Sequence, residues 1–397
     1  MNLEENKTRL TALGGAIFVS MLGVGIIVPF LPLYAKGMGA SALMMGMIFS
    51  AFAGSRTLMM PFVGILSDRY GRKYFIMLGL AGMAVSALAM LSADTPWQLV
   101  GARAGQGLFA AFILPVSMAL VADLTPLGHE GRYFGAFNTA MLSGLGLGPL
   151  LGGAIHDWLG LEVNFWIMFA MCLTSAIFMA VLVREPPPEL RAQGKTGIRQ
   201  QFTLFKDMPL LGVFLCRMGA AVSLGCFIAF LPVLGAEKGL SAFQVGLLLG
   251  LNVLIMTGMQ APSGWLADRF PRLPLAVTGA AVAAAAKGLL PTGDGFWQLS
   301  FLVVLEGLAA GVALPSLTAL AVGRGRELGM GSGVTMGFFI LALSVGVCFG
   351  PLLGGLLADF WGISAAFWLA GSVAGLGALT LGFLGVRGAP APAEVEG

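Results

Sequence analysis

Charge is the scarcest property of this chain. Only 10% of its 397 residues are Asp, Glu, Lys or Arg, while 57% are hydrophobic. A soluble domain carries about 25% charged residues, so a water-solvated globule is excluded. Histidine is scarcer still, with His129 and His156 alone, far apart in sequence. The four cysteines (Cys172, Cys216, Cys226, Cys348) all lie in apolar runs without CxxC spacing, which argues against a disulfide framework or a metal site. There is no HExxH, no phosphate-binding loop and no His/Cys/Asp cluster, so the chain does not read as an enzyme or a nucleotide-driven pump. No cofactor is expected. Basic runs interleaved with aromatics are missing too, which removes nucleic acid as a partner. The first apolar run lacks a short core followed by an A-x-A site and reads as a retained helix.

What the chain has in abundance is long apolar runs. Twelve segments, each long enough to cross ~30 Å of hydrocarbon, cover 11–34, 43–66, 74–93, 97–122, 133–157, 163–184, 209–235, 242–266, 273–292, 296–321, 330–358 and 363–386. All are predicted to be helices, because backbone groups facing lipid must pair within their own segment. Sixteen of the 22 Lys and Arg fall on one side of these spans, and Lys36, Lys238 and Lys287 fall near the other. The positive-inside rule then predicts both termini in the cytoplasm. The expected division is a six-helix bundle over 1–184, a linker over 185–208 with a short surface helix near 200–205, a second bundle over 209–388, and a disordered tail over 389–397.

The two bundles are copies. GILSDRYGRK at Gly64–Lys73 returns 200 residues later as GWLADRFPR, with Gly264, Leu266, Asp268, Arg269 and Arg272 in register. Phe30-Leu31-Pro32, Trp97-Gln98-Leu99 and Leu114-Pro115 recur at the same offset. After a two-residue shift, GPLLGG at Gly148–Gly153 recurs at Gly350–Gly355. Six spans per copy preserve orientation, so the halves are expected to be related by an axis along the membrane normal, with a cleft on that axis.

These motifs resemble the major facilitator superfamily over essentially the whole chain. GILSDRYGRK is similar to its loop between helices 2 and 3, RAGQG (Arg103–Gly107) to its helix-4 signature, and GLGLGPLLGG (Gly144–Gly153) to the helix-5 signature of drug:proton antiporters. The second loop departs from the pattern, with Pro271 where Gly71 stands. The resemblance implies an all-α membrane protein of twelve helices in two pseudo-twofold bundles. It also implies proton-coupled efflux of small amphiphilic molecules by a monomer in a bacterial inner membrane, with protons and lipids as the other partners. Asp68, Arg69, Arg72 and Asp123 would latch the cytoplasmic side with helix 11, Asp123 pairing with Arg69 or Arg72. Gly148, Pro149, Gly350 and Pro351 would form the rocking contact between halves, or serve as a packing seam only.

Four ionisable residues are expected inside the bilayer: Arg56, Arg103, Arg217 and Glu306. Such charges are costly and point to function. Glu306 lies about 14 Å along its helix from Trp297 and is in register with Gln106. Three roles stay open for it: proton carrier, permanent partner of Arg217, or receiver of a cationic substrate. Arg103 is a coupling candidate by resemblance. Helices 1, 4, 7 and 10 line the family's cavity, which would gather Arg103, Arg217 and Glu306, with Gln106, Asn138, Asn252, Gln260, Tyr34 and Arg56 as further cavity candidates. Three cations against one carboxylate keep a metabolite or organic-anion exporter open as an alternative. A membrane receptor without transport is the reading from another class.

Overall fold

The computed structural model describes residues 3–125, 129–183, 185 and 203–387, leaving aside the side chains of 3–8, 65, 68, 130, 131, 268, 332, 386 and 387. Within them twelve helices are long and apolar enough to cross a membrane: α1 Arg9–Gly37, α2 Ala42–Gly64, α3 Arg72–Leu91, α4 Pro96–Leu124, α5 Arg132–Leu159, α6 Leu161–Leu182, α7 Met208–Glu237, α8 Ala242–Ala267, α9 Arg272–Thr292, α10 Phe296–Glu327, α11 Gly333–Trp361 and α12 Ile363–Gly385. An even number of crossings puts both chain ends on one side, here the termini face; the opposite side is the far face. Most of the expected linker and the whole expected tail lie outside the described residues. Of the expected surface helix, a single 3-10 turn at Leu204–Lys206 is described.

The duplicated sequence folds with local differences near its prolines; of Pro29, Pro32 and Pro115, Pro29 alone lacks a counterpart, Ala229 standing in its place. Helix α1 breaks between Ile27 and Leu31, around Pro29, and α4 breaks between Ala110 and Leu114, just before Pro115. Their copies α7 and α10 run through Pro232 and Pro315 without a break. A proline removes one backbone bond and clashes with the preceding turn. Whether the helix yields depends on what packs around it. The turn between α2 and α3 needs glycine, since Gly71 has φ of 108°. The second copy solves the same turn differently, with Pro271 at φ −56°.

Glycine stripes bring the helices together. On α5, Gly144, Gly148 and Gly152 face α1, where a Cβ would overlap the backbone near Phe18, Gly25 and Ile26. Gly153, one step round the helix, faces Ala242 of α8 in the other half. The second copy repeats this: Gly346 and Gly350 meet α7, while Gly355 meets Ala42 of α2. So the Gly-Pro signature makes contacts both within and between the halves. Gly148 and Gly350 seal each half internally; Pro149 and Pro351 touch Gly246 and Gly46 across the halves.

Contacts between the halves gather toward the far face. Helix α2 meets α11 at Ala42–Gly355, Gly46–Pro351 and Ser50–Cys348; α5 meets α8 at Gly153–Ala242, Pro149–Gly246 and Gly146–Gly250. Asp157 at the end of α5 accepts hydrogen bonds from the Ala242 and Phe243 amides at 3.1 and 2.9 Å. Asp359 at the end of α11 does the same for Ala42 and Leu43 at 2.7 and 3.1 Å. Each carboxylate thus satisfies orphan amides of a helix start in the opposite half. Lys36 and Glu237 add a third tie at 3.6 Å between α1 and α7. The far face is shut. Six of the seven tryptophans (Trp97, Trp158, Trp166, Trp297, Trp361, Trp368) stand exposed near this face, as an interfacial belt does.

Candidate functional site

Inside the second half, α7, α8, α9, α10 and α12 surround a cavity of about 90 Å³ that is partly open to solvent. Alanine is the commonest residue of its wall, with Ala276, Ala280, Ala283 and Ala310 among them, and Arg217, Asn252, Lys287 and Glu306 are its charged and amide groups. Alanine keeps these helices close-packed yet leaves the volume that larger side chains would fill.

Glu306 is 4% exposed and about 15 Å along α10 from Phe296. Its Oε1 lies 2.8 Å from Lys287 Nζ, and its Oε2 accepts a hydrogen bond from Asn252 Nδ2. Lys287 is 5% exposed and lies over the Phe227 ring. Two corrections follow. Lys287 is not a far-side lysine but a buried one, its side chain turned inward from α9. The Glu306 partner is Lys287, not Arg217. A lysine five residues from a helix end looks peripheral by counting, but its four-carbon stem reaches inward to a carboxylate that is otherwise uncompensated.

Arg217 also lines the cavity, with its guanidinium 4.9 Å from the centre of the Phe339 ring. Its Nε is buried without a hydrogen-bond partner, and no carboxylate stands within ion-pair reach among the described residues. In the 200-residue register Arg217, Asn252, Lys287 and Glu306 correspond to Ile17, Phe52, Ala87 and Gln106. The ionic cluster therefore belongs to one half only.

The other expected residues do not gather around one axial cavity. Arg103, 2% exposed, donates to Gln106 Oε1 three residues on and lies over Phe49 and Phe52 at 5.3 and 4.3 Å. Gln106 donates in turn to Met168 Sδ. This pair is spent inside the first half, where Arg103 lies against Phe52, the register counterpart of Asn252. Tyr34 sits at the far end of α1, its hydroxyl on the Leu91 carbonyl at 3.3 Å. Asn138, Gln260 and Arg56 are half-buried and do not line the cavity; Arg56 Nε has no hydrogen-bond partner.

At the termini face, Asp123 pairs with Arg72 at 2.7 Å, both side chains fully covered. Arg69 instead lies over Tyr70, and the side chain of Asp68 is outside the described residues. Sequence reasoning missed Glu185, whose two oxygens take the Arg72 and Lys73 amides at 2.7 Å and so cap α3. It also missed Asp207, which holds Arg324 at 2.9 Å. All these pairs link helices of the same half, and none engages α11. The anticipated latch to α11 includes Asp68, whose side chain lies outside the described residues.

A family model described as Major Facilitator Superfamily matches residues 13–336 and 213–397. Among curated relatives, an uncharacterized MFS-type transporter of Methanocaldococcus jannaschii is 29% identical, spanning 87% of this chain and 90% of its own. The multidrug resistance protein MdtG of Serratia proteamaculans is 29% identical over 88% and 89% of the two chains. Multidrug resistance protein 2 of Bacillus subtilis is 28% identical over 94% of each. Among solved structures, a bacterial homolog of the human lysosomal transporter Spinster, inward-facing and unoccupied, superposes with a TM-score of 0.83 at 15% identity, covering 99% and 100% of the chains. The human organic anion transporter MFSD10 gives 0.66 at 20%, covering 95% and 99%. At such identities these two likenesses speak for the fold alone.

Proposed function

Because the chain belongs to the major facilitator superfamily, an integral membrane transporter family rather than an enzyme family, we propose that it is a secondary active exporter exchanging small amphiphilic or drug-like molecules for protons. The multidrug resistance proteins among its relatives support the substrate class. The observation that carries proton coupling is the buried Glu306–Lys287 pair beside an apolar cavity. The Glu306 carboxylate lies between the Lys287 ammonium and the Asn252 amide. A proton arriving on Glu306 cancels that charge and frees Lys287, and breaking one partner of a buried pair costs ~3–5 kcal/mol. An energy of that size separates discrete states instead of blurring them. Arg72–Asp123 would play the structural counterpart at the termini face, which on the positive-inside rule is cytoplasmic, in a bacterial inner membrane. The far-face ties would open as the cytoplasmic mouth closes.

The test is transport by reconstituted vesicles. Substrate addition is expected to dissipate a preset pH gradient, which a receptor without transport would not do. Glu306→Gln is expected to abolish uphill accumulation while retaining substrate binding and exchange. A Glu306→Gln protein that still concentrates substrate at the normal rate would refute coupling at this site. A second reading, an organic-anion carrier, is favoured by one observation: the Arg217 cation on the cavity wall has no counter-charge.

A further inference from the structure

Charge accounting in the cavity is simple. Lys287 and Glu306 neutralise each other at 2.8 Å, and both Glu306 oxygens are engaged, the second by Asn252. Arg217 remains as a single uncompensated positive charge on an alanine-rich wall. Holding a guanidinium in such surroundings is unfavourable unless an anion completes it. The guanidinium lies over the Phe339 ring, and a planar fork of N–H groups suits two oxygens of one ligand.

We infer that this cavity is a receiving site for an amphiphilic monoanion, its carboxylate or sulfonate head on Arg217 and its apolar body along the α9–α10 alanine wall. The site takes one negative charge because Lys287 is already matched. It lies within the second half and has no twin, since Ile17 stands where Arg217 would be repeated. A fixed cation disfavours cationic drugs here, so the inference narrows the exporter's substrate class. It rests on the transport reading for its purpose, but it is tested by binding alone.

The test uses the full chain in a neutral maltoside detergent, with calorimetric titration of octane-1-sulfonate, 1-octanol and octyltrimethylammonium, three probes with one tail and different heads. Saturable binding of the sulfonate at least tenfold tighter than either of the others is expected. Arg217→Gln should weaken it at least tenfold. Ala280→Leu, which narrows the cavity without touching charge, should also weaken it and guards against a folding artefact of the arginine change. Equal binding of sulfonate and alcohol, or unchanged sulfonate affinity in Arg217→Gln, would overturn the inference. A head group could arrive from water or from the bilayer, so p-toluenesulfonate and palmitate are titrated in parallel. Arg217-dependent binding of either supports the site and identifies its source; binding of neither through Arg217 overturns it. Sulfonate binding in a protein that moves no proton or solute would leave this site standing and sink the transport reading. Proton-coupled export of cationic dyes, with no sulfonate binding, would do the reverse.

Discussion

At the scale of single residues, the second half holds a charge triplet whose members differ in how well they are matched. Lys287 and Glu306 are matched to each other, so removing either leaves the other stranded. Lys287→Met is therefore expected to destabilise the protein by about 3–5 kcal/mol, read as a lowered unfolding temperature in detergent. Combining it with Glu306→Gln should restore most of that loss, because both stranded charges are then gone; a strictly additive double variant would refute the coupling. The same cycle applied to Arg72→Met and Asp123→Asn should give a comparable interaction at the termini face. Glu306 was legible in the sequence as a lone carboxylate in an apolar run. Lys287 was not, because span-end lysines are ordinarily topology markers, and only helical register shows which way the side chain turns. Its register partner Ala87 offered a clue, being one of a run of apolar residues in α3.

At the scale of elements, spans and repeats were legible because hydrophobic run length and a 200-residue offset need no tertiary knowledge. The assembly of the site was not. By resemblance Arg103 and Arg217 stand on two helices that line one shared cavity, yet Arg103 lies over Phe52 in the first half while Arg217 and Asn252 line a cavity in the second. The glycine stripes make a separable prediction. Gly148→Val, inside the α1–α5 seam, should lower stability without favouring either state. Gly46→Val and Gly246→Val, whose side chains would collide with Pro351 and Pro149 across the halves, should instead push the far face apart. Spin labels at Trp97 and Trp297 are expected to report a longer distance in these two variants and an unchanged one in Gly148→Val.

At the scale of the whole molecule, the two halves hold each other by exchange, each lending a carboxylate to a helix start of the other. Loss of a cap of this kind costs ~0.5–2 kcal/mol, and dipole attraction adds to it. Asp157→Asn or Asp359→Asn alone should raise the population open at the far face modestly. The double variant should raise it by roughly the product of the two effects, measured by the same spin-label distances. A double variant no more open than either single one would mean the ties do not restrain the halves.

The lopsided placement of the indoles has a use of its own. With six of seven near one membrane surface, intrinsic fluorescence samples a single leaflet. Brominated lipid confined to that leaflet should quench most of the emission, and the same lipid opposite should reach little beyond Trp265. An unlabelled vesicle preparation can therefore be sorted by insertion direction from its own light.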